Sequence, residues 1–117
     1  MLKIINNPQK NLIETVAIAR LTEADWVRVI PALQERIEQS GKIHWYFEMQ
    51  DFRQDSAKTT WKDAGLHQFQ DAFERIAVVG SKEWRGWMRD LMAPLFTAEI
   101  GFFESIFQEE AHKWIRS

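Results

Sequence analysis

Phe73–Leu91 reads FERIAVVGSKEWRGWMRDL. The run Ile76-Ala77-Val78-Val79 is apolar throughout and stops at Gly80, followed by Ser81. A short apolar run closed by glycine is the pattern of a strand covered on both faces, and Arg75–Val79 is the best candidate for a central parallel strand. Beyond it Trp84, Met88, Leu91 and Leu95 recur at helical spacing, with Trp87, Met92 and Phe96 widening the stripe. Ser81 is read as the cap of that helix and Pro94 as its stop. Strand, tight turn and amphipathic helix in that order predict an α/β fold.

Outward from this unit the same logic orders the chain. Leu2–Ile5 is a short strand closed by Asn6-Asn7-Pro8, and Leu12–Leu21 is a second strand, paired with it as an antiparallel hairpin. Thr22 caps a helix with Asp25 three residues on, and Trp26, Ile30, Leu33 and Ile37, widened by Val27, form its stripe. That stripe keeps its phase through Pro31 and ends at Ser40-Gly41. Ile43–Met49 is a strand with Ile43, Trp45 and Phe47 on one face and His44, Tyr46 and Glu48 on the other. Gln50–Lys58 reads as a loop, and Thr59 or Thr60 caps a second helix carrying Trp61, Gly65, Leu66, Phe69 and Phe73 inward. Ala98–Phe103 is a last strand. Ser105 and Gln108 make a capping box for a last helix with Phe107, Ala111, Trp114 and Ile115 inward. The expected order is β-β-α-β-α-β-α-β-α: one domain over residues 1–117, an open mixed sheet of about five strands with about four helices and right-handed crossovers.

Composition narrows the function classes. At 117 residues and 45% hydrophobic, the chain has enough apolar material for one core. A net charge of −2, without any basic run, argues against a nucleic-acid surface. With no cysteine, thiolate catalysis and zinc–thiolate sites are excluded. No metal-ligand spacing links His44, His67 and His112, so no metal or cofactor is expected. Nothing at the start of the chain reads as a signal peptide and no apolar run is long enough to span a bilayer, so the expected location is the cytoplasm.

The segment Phe73-Glu74-Arg75-Ile76-Ala77-Val78-Val79-Gly80 followed by Trp84 resembles the SpoIIAA-like proteins of the STAS-like superfamily. Leu21-Thr22, Ala32-Leu33, Asp51-Phe52 and Trp114 extend the resemblance over nearly the whole chain. It implies an open sheet with helices packed beside it. The anti-anti-sigma members carry a phosphorylatable serine after the third strand, where this chain has Asp55-Ser56, but with the continuation Ala57-Lys58-Thr59-Thr60 in place of the usual serine- and glycine-rich one. The fold is also related to lipid-binding domains of the CRAL-TRIO type, which brings an apolar ligand into view.

Two groups of residues are therefore candidates. Asp51, Asp55, Ser56 and Thr59 form a polar recognition or phosphoswitch region. Trp84, Trp87, Met88, Leu91, Met92 and Phe96 offer more apolar surface than one sheet face requires, open to three uses: core, an interface with a homodimer or protein partner, or the wall of an apolar pocket. The leading expectation is a non-enzymatic regulatory or interaction module. The alternatives are a binder of a small apolar or amphipathic, lipid-like ligand, and an enzyme using His44 or the Glu48, Asp51 and Asp55 carboxylates.

Overall fold

A computed structural model describes residues 1–5, 9–19, 21–51 and 65–117. Five strands form one sheet: β1 (Leu2–Ile5), β2 (Leu12–Ile18), β3 (Ile43–Gln50), β4 (Phe73–Gly80) and β5 (Glu99–Glu104). Their spatial order is β1-β2-β3-β4-β5, the order of the chain. β1 and β2 are antiparallel, with Leu2 opposite Ala17, and every other neighbouring pair is parallel. Among the described residues there are three α-helices: α1 (Glu23–Ser40), α2 (Arg85–Met92) and α3 (Gln108–Arg116).

Topology dictates which face each helix covers. Right-handed crossovers that always step the same way put every connecting helix on one face of the sheet. Accordingly Trp26, Val29 and Leu33 of α1, Leu66 and Phe69 before β4, and Met88 and Met92 of α2 join one core with Ile43, Trp45, Phe47, Ile76 and Val78. The centre of that core is aromatic. Trp45 stacks on Phe73 at 5.3 Å and meets Phe47 and Phe96 edge-on, and its Nε1–H donates to Thr15 Oγ1 at 3.0 Å. Among the described residues the opposite face is covered by α3, whose Ala111 and Ile115 pack on Leu12, Tyr46, Ala77 and Val79.

Strand alternation and the hairpin hold as read, and so does the helix through Pro31. Pro31 is exposed, so the backbone bond it cannot make lies on the watered side. Thr22 and Asp25 form the expected capping box. Thr22 N–H and Oγ1–H each donate to Asp25 at 2.9 Å, Leu2 N–H donates at 3.2 Å, and the Met1 ammonium lies 3.5 Å away. Burial alone would raise the Asp25 carboxyl, but these donors outweigh it and hold the group below its ordinary value.

Five expectations are corrected. Val27 is 67% exposed and Val29 widens the α1 stripe instead, because one residue along a helix turns the side chain 100° off the Trp26 line. The second helix does not reach Phe73: Gly65 takes a left-handed φ of 76°, Leu66–Phe69 form one 3-10 turn, and Phe73 opens β4. The start of that helix at Thr59 or Thr60, with Trp61, lies outside the described residues. Ser81 and Ser105 give no side-chain caps, because 3-10 turns at Lys82–Trp84 and Ser105–Phe107 lead into α2 and α3. Phe107 faces out rather than in, at 46% exposure.

Candidate functional site

The chain runs through the strand order without reversal, so the sheet has no switch-point crevice of the kind that holds ligands in doubly wound folds. Concave surface arises elsewhere, and among the described residues two such places follow from the topology.

The first lies where parallel strands end. The carboxyl ends of β3, β4 and β5 share one edge, and Met49, Gln50, Asp51, Ser81, Glu83, Trp84 and Ser105 line a cleft there of about 470 Å³. Asp51 has φ 47°, a left-handed conformation that aspartate tolerates because its short side chain can bond locally. Gly80 lets β4 pass close to β3: a Cβ at this position would lie 2.7 Å from Met49 Cε. Ile106 is 82% exposed and, with Phe107, follows Ser105 directly. The cleft thus holds two carboxylates and a half-buried tryptophan, and the exposed apolar pair Ile106–Phe107 follows its last lining residue, Ser105, in the chain. Of the polar candidates only Asp51 is placed there; Asp55, Ser56 and Thr59 lie outside the described residues.

The second is a groove of about 350 Å³ at the other end of the topology. α2 crosses from β4 to β5, and β5 is the sheet edge, so among the described residues no further helix flanks α2 on that side. Met88, Met92 and Phe96 form one wall, and Val78, Ala98, Ile100 and Phe102 the floor. Arg85, Arg89 and Ala93, all exposed, lie at the rim. The helical stripe is therefore split. Met88, Met92 and Phe96 reach both core and groove, whereas Trp84, Trp87, Leu91 and Leu95 are half-buried against the core. Trp84 and Trp87 meet edge-on at 5.8 Å.

Polar residues of the opposite face form a network that sequence reading does not anticipate. Tyr46 Oη–H donates to Glu48 Oε1 at 2.7 Å, and Gln50 Nε2 donates to Glu48 Oε2 at 2.5 Å. Glu14, beside Tyr46 on β2, lies 3.4 Å from Arg116 Nη2 and 3.6 Å from His112 Nδ1 of α3. The His112 ring stacks on Tyr46 with centroids 4.2 Å apart. His44 is buried at 4% exposure, its Nδ1–H donating to the Ile115 carbonyl at 2.5 Å and its Nε2 facing Glu74 at 3.1 Å. Both nitrogens of His44 are thereby taken up in tying α3 and β4 to β3. His44 and Glu48 are not brought together for chemistry, since the Tyr46 ring stands between them on one face of β3. The signal that could have found this network is the last helix: Ala111 and Ile115 need a sheet face, and the face left for them is that of Tyr46.

Burial, then the hydrogen bond to Glu48 and its negative charge, push the Tyr46 phenol far above its ordinary value, with the Gln108 side chain offsetting part of this. A group whose folded value is raised keeps its contribution below its unfolded value, about 10 for a phenol, and loses it as pH rises beyond that. Tyr46 is the only tyrosine. Alkaline titration is therefore expected to show no tyrosinate absorbance from the folded chain near pH 10, with ionisation arriving together with unfolding as one step. A smooth titration near 10 in folded protein would refute the buried arrangement.

Among the described residues no group of histidines and carboxylates is placed to hold a metal ion. Among the same residues no helix is long and apolar enough to cross a membrane. Comparison with the curated proteins gives no match. Among solved structures, the chain is similar to the crystal structure of an uncharacterized protein of the DUF3478 family with a SpoIIAA-like fold from Shewanella loihica PV-4. The TM-score is 0.67 at 20% identity, over 98% of this chain and 92% of that one, a likeness of fold. The profile of the SpoIIAA-like family matches residues 12–116, from the first residue of β2 to the last of α3, and the chain belongs to that family.

Proposed function

We propose that this protein is a non-enzymatic regulatory module that recognises a protein partner, or a second copy of itself, at the carboxyl ends of β3, β4 and β5. The observation that carries the reading is the exposed pair Ile106–Phe107, directly after Ser105 of the cleft that also holds Asp51 and Glu83. Exposed aromatic and aliphatic side chains next to fixed charges are the make-up of an interface anchor. Trp84 adds a large surface held in place by Trp87. Asp55, Ser56 and Thr59 follow Asp51 closely in the chain, and in this reading they add polar recognition and a place where phosphate would alter the local charge.

Ile106→Ser with Phe107→Ser tests this, because both side chains are exposed and their loss leaves the core untouched. Native mass spectrometry on protein purified gently from its host should show a partner or second copy on the wild type. The double variant should lose it at an unchanged thermal midpoint. Equal retention by both proteins, or a bare monomer in the wild type, would count against the reading.

A second reading rests on the α2–β5 groove. Its volume is at the lower end of the roughly 300–1,000 Å³ of small-molecule sites, and its wall is apolar. In this reading the groove holds a small amphipathic ligand and the module senses it.

A further inference from the structure

We infer that the groove between α2 and β5 takes a single-chain anionic amphiphile of the fatty-carboxylate class, its head at Arg85 and Arg89 and its chain along Met88, Met92 and Phe96. This rests on the groove reading above and adds to it the head-group charge, the orientation and the number of chains.

Three observations carry it. Arg85 and Arg89 are four residues apart on one helix and both belong to the groove, so their guanidinium groups reach its mouth from the same side. Among the described residues no ion pair involves Arg85, and Arg89 has only an exposed contact of 4.0 Å with Asp90, a kind of pair that adds little stability. Two cations without strong partners at the rim of an apolar groove select an anion, and the planar fork of arginine suits a carboxylate.

The apolar wall then selects what the anion is attached to. Met88 and Met92 lie one turn apart on α2, and Phe96, beyond the helix end, continues the same groove lining, so the apolar wall leads away from Arg85. Methionine side chains adapt to a flexible chain better than branched ones do.

Size bears on the number of chains. A groove of about 350 Å³ is at the small end of ligand sites and suits one short acyl chain.

The experiment is calorimetric titration of the whole chain with decanoate and with decanol, below the concentrations at which either aggregates. Arg85→Met with Arg89→Met removes the head contacts. Ala93→Trp fills the groove from its exposed rim without disturbing the core. Decanoate should bind the wild type at least about tenfold more tightly than decanol. The arginine double variant should bring the two ligands level, and Ala93→Trp should abolish both. Equal binding of decanoate and decanol to the wild type would overturn the head-group assignment and leave the groove reading standing. Binding of neither, or decanoate binding that survives Ala93→Trp, would overturn the groove reading and this inference with it. A thermal melt of each variant confirms that loss of binding is not loss of fold.

Discussion

Trp45→Ala is expected to lower the stability of the fold by roughly 3–5 kcal/mol, the range for removing a large buried aromatic. Trp45 is fully buried on the middle strand of the five. Its ring contacts Phe47, Phe73 and Phe96, which come from three different segments, so the vacancy could not be filled by one side chain swinging over. Thr15 would also lose the Nε1–H donor, although its own hydroxyl would still donate to the Tyr46 carbonyl at 3.3 Å. A domain of this kind has about 5–15 kcal/mol in all, so the variant should sit close to unfolding at room temperature. Urea denaturation against the wild type gives the number. A loss below about 1 kcal/mol would mean that the core is centred elsewhere.

Ile115→Asp should be nearly as damaging, at about 3 kcal/mol or more, for a different reason. It places a carboxylate against Leu12, Tyr46, Ala77 and Val79 with no cation provided for it. Among the described residues α3 is the helix on that face, so the expected result is release of the helix ahead of the sheet. The Tyr46 phenol then reaches water and should titrate near 10 while near-UV signals from the Trp45 core persist. An unchanged melting point with Tyr46 still protected would contradict the packing of α3. Arg75 resists the release: its Nη1 donates to the Trp114 carbonyl at 3.1 Å and its guanidinium lies 5.2 Å over the Trp114 ring. Gly101 makes room for that ring, since a Cβ there would lie 3.2 Å from it.

The sequence was most legible where burial on one face repeats with the period of the element. Ile43, Trp45 and Phe47 announce β3, and Ile76–Val79 announces β4, because a continuous apolar run has few other solutions. Capping was legible at Thr22, where the hydroxyl and the Asp25 carboxylate complete each other locally. It was misread at Ser81 and Ser105, where tertiary packing draws the chain into a 3-10 turn first and the hydroxyl has no helix end to face. The Tyr46–Glu48–Glu14 network escaped because polar residues at alternate strand positions read as facing water, and only the docking of a helix from the far end of the chain buries them. The concave sites were legible only in part, Met88, Met92 and Phe96 as a candidate pocket wall and Asp51 as a polar recognition residue. Asp51 and Met88 could be named from the sequence, but the cleft depends on three strands ending at one edge and the groove on β5 having no outer neighbour.

The coincidence of strand order with chain order bears on how the protein is made. During synthesis, at about 5–20 residues per second, each strand that leaves the ribosome finds the strand it must pair with already in place and at the growing margin. No later strand has to be inserted between two earlier ones, which keeps the loops to be closed short and the search for partners brief. The exception is the far face. Among the described residues, the cover of Leu12, Tyr46, Ala77 and Val79 is Gln108–Arg116, which arrives after all five strands. A nascent chain paused between β5 and α3 is thus the sticky species, the one on which chaperones would act and from which aggregation would start.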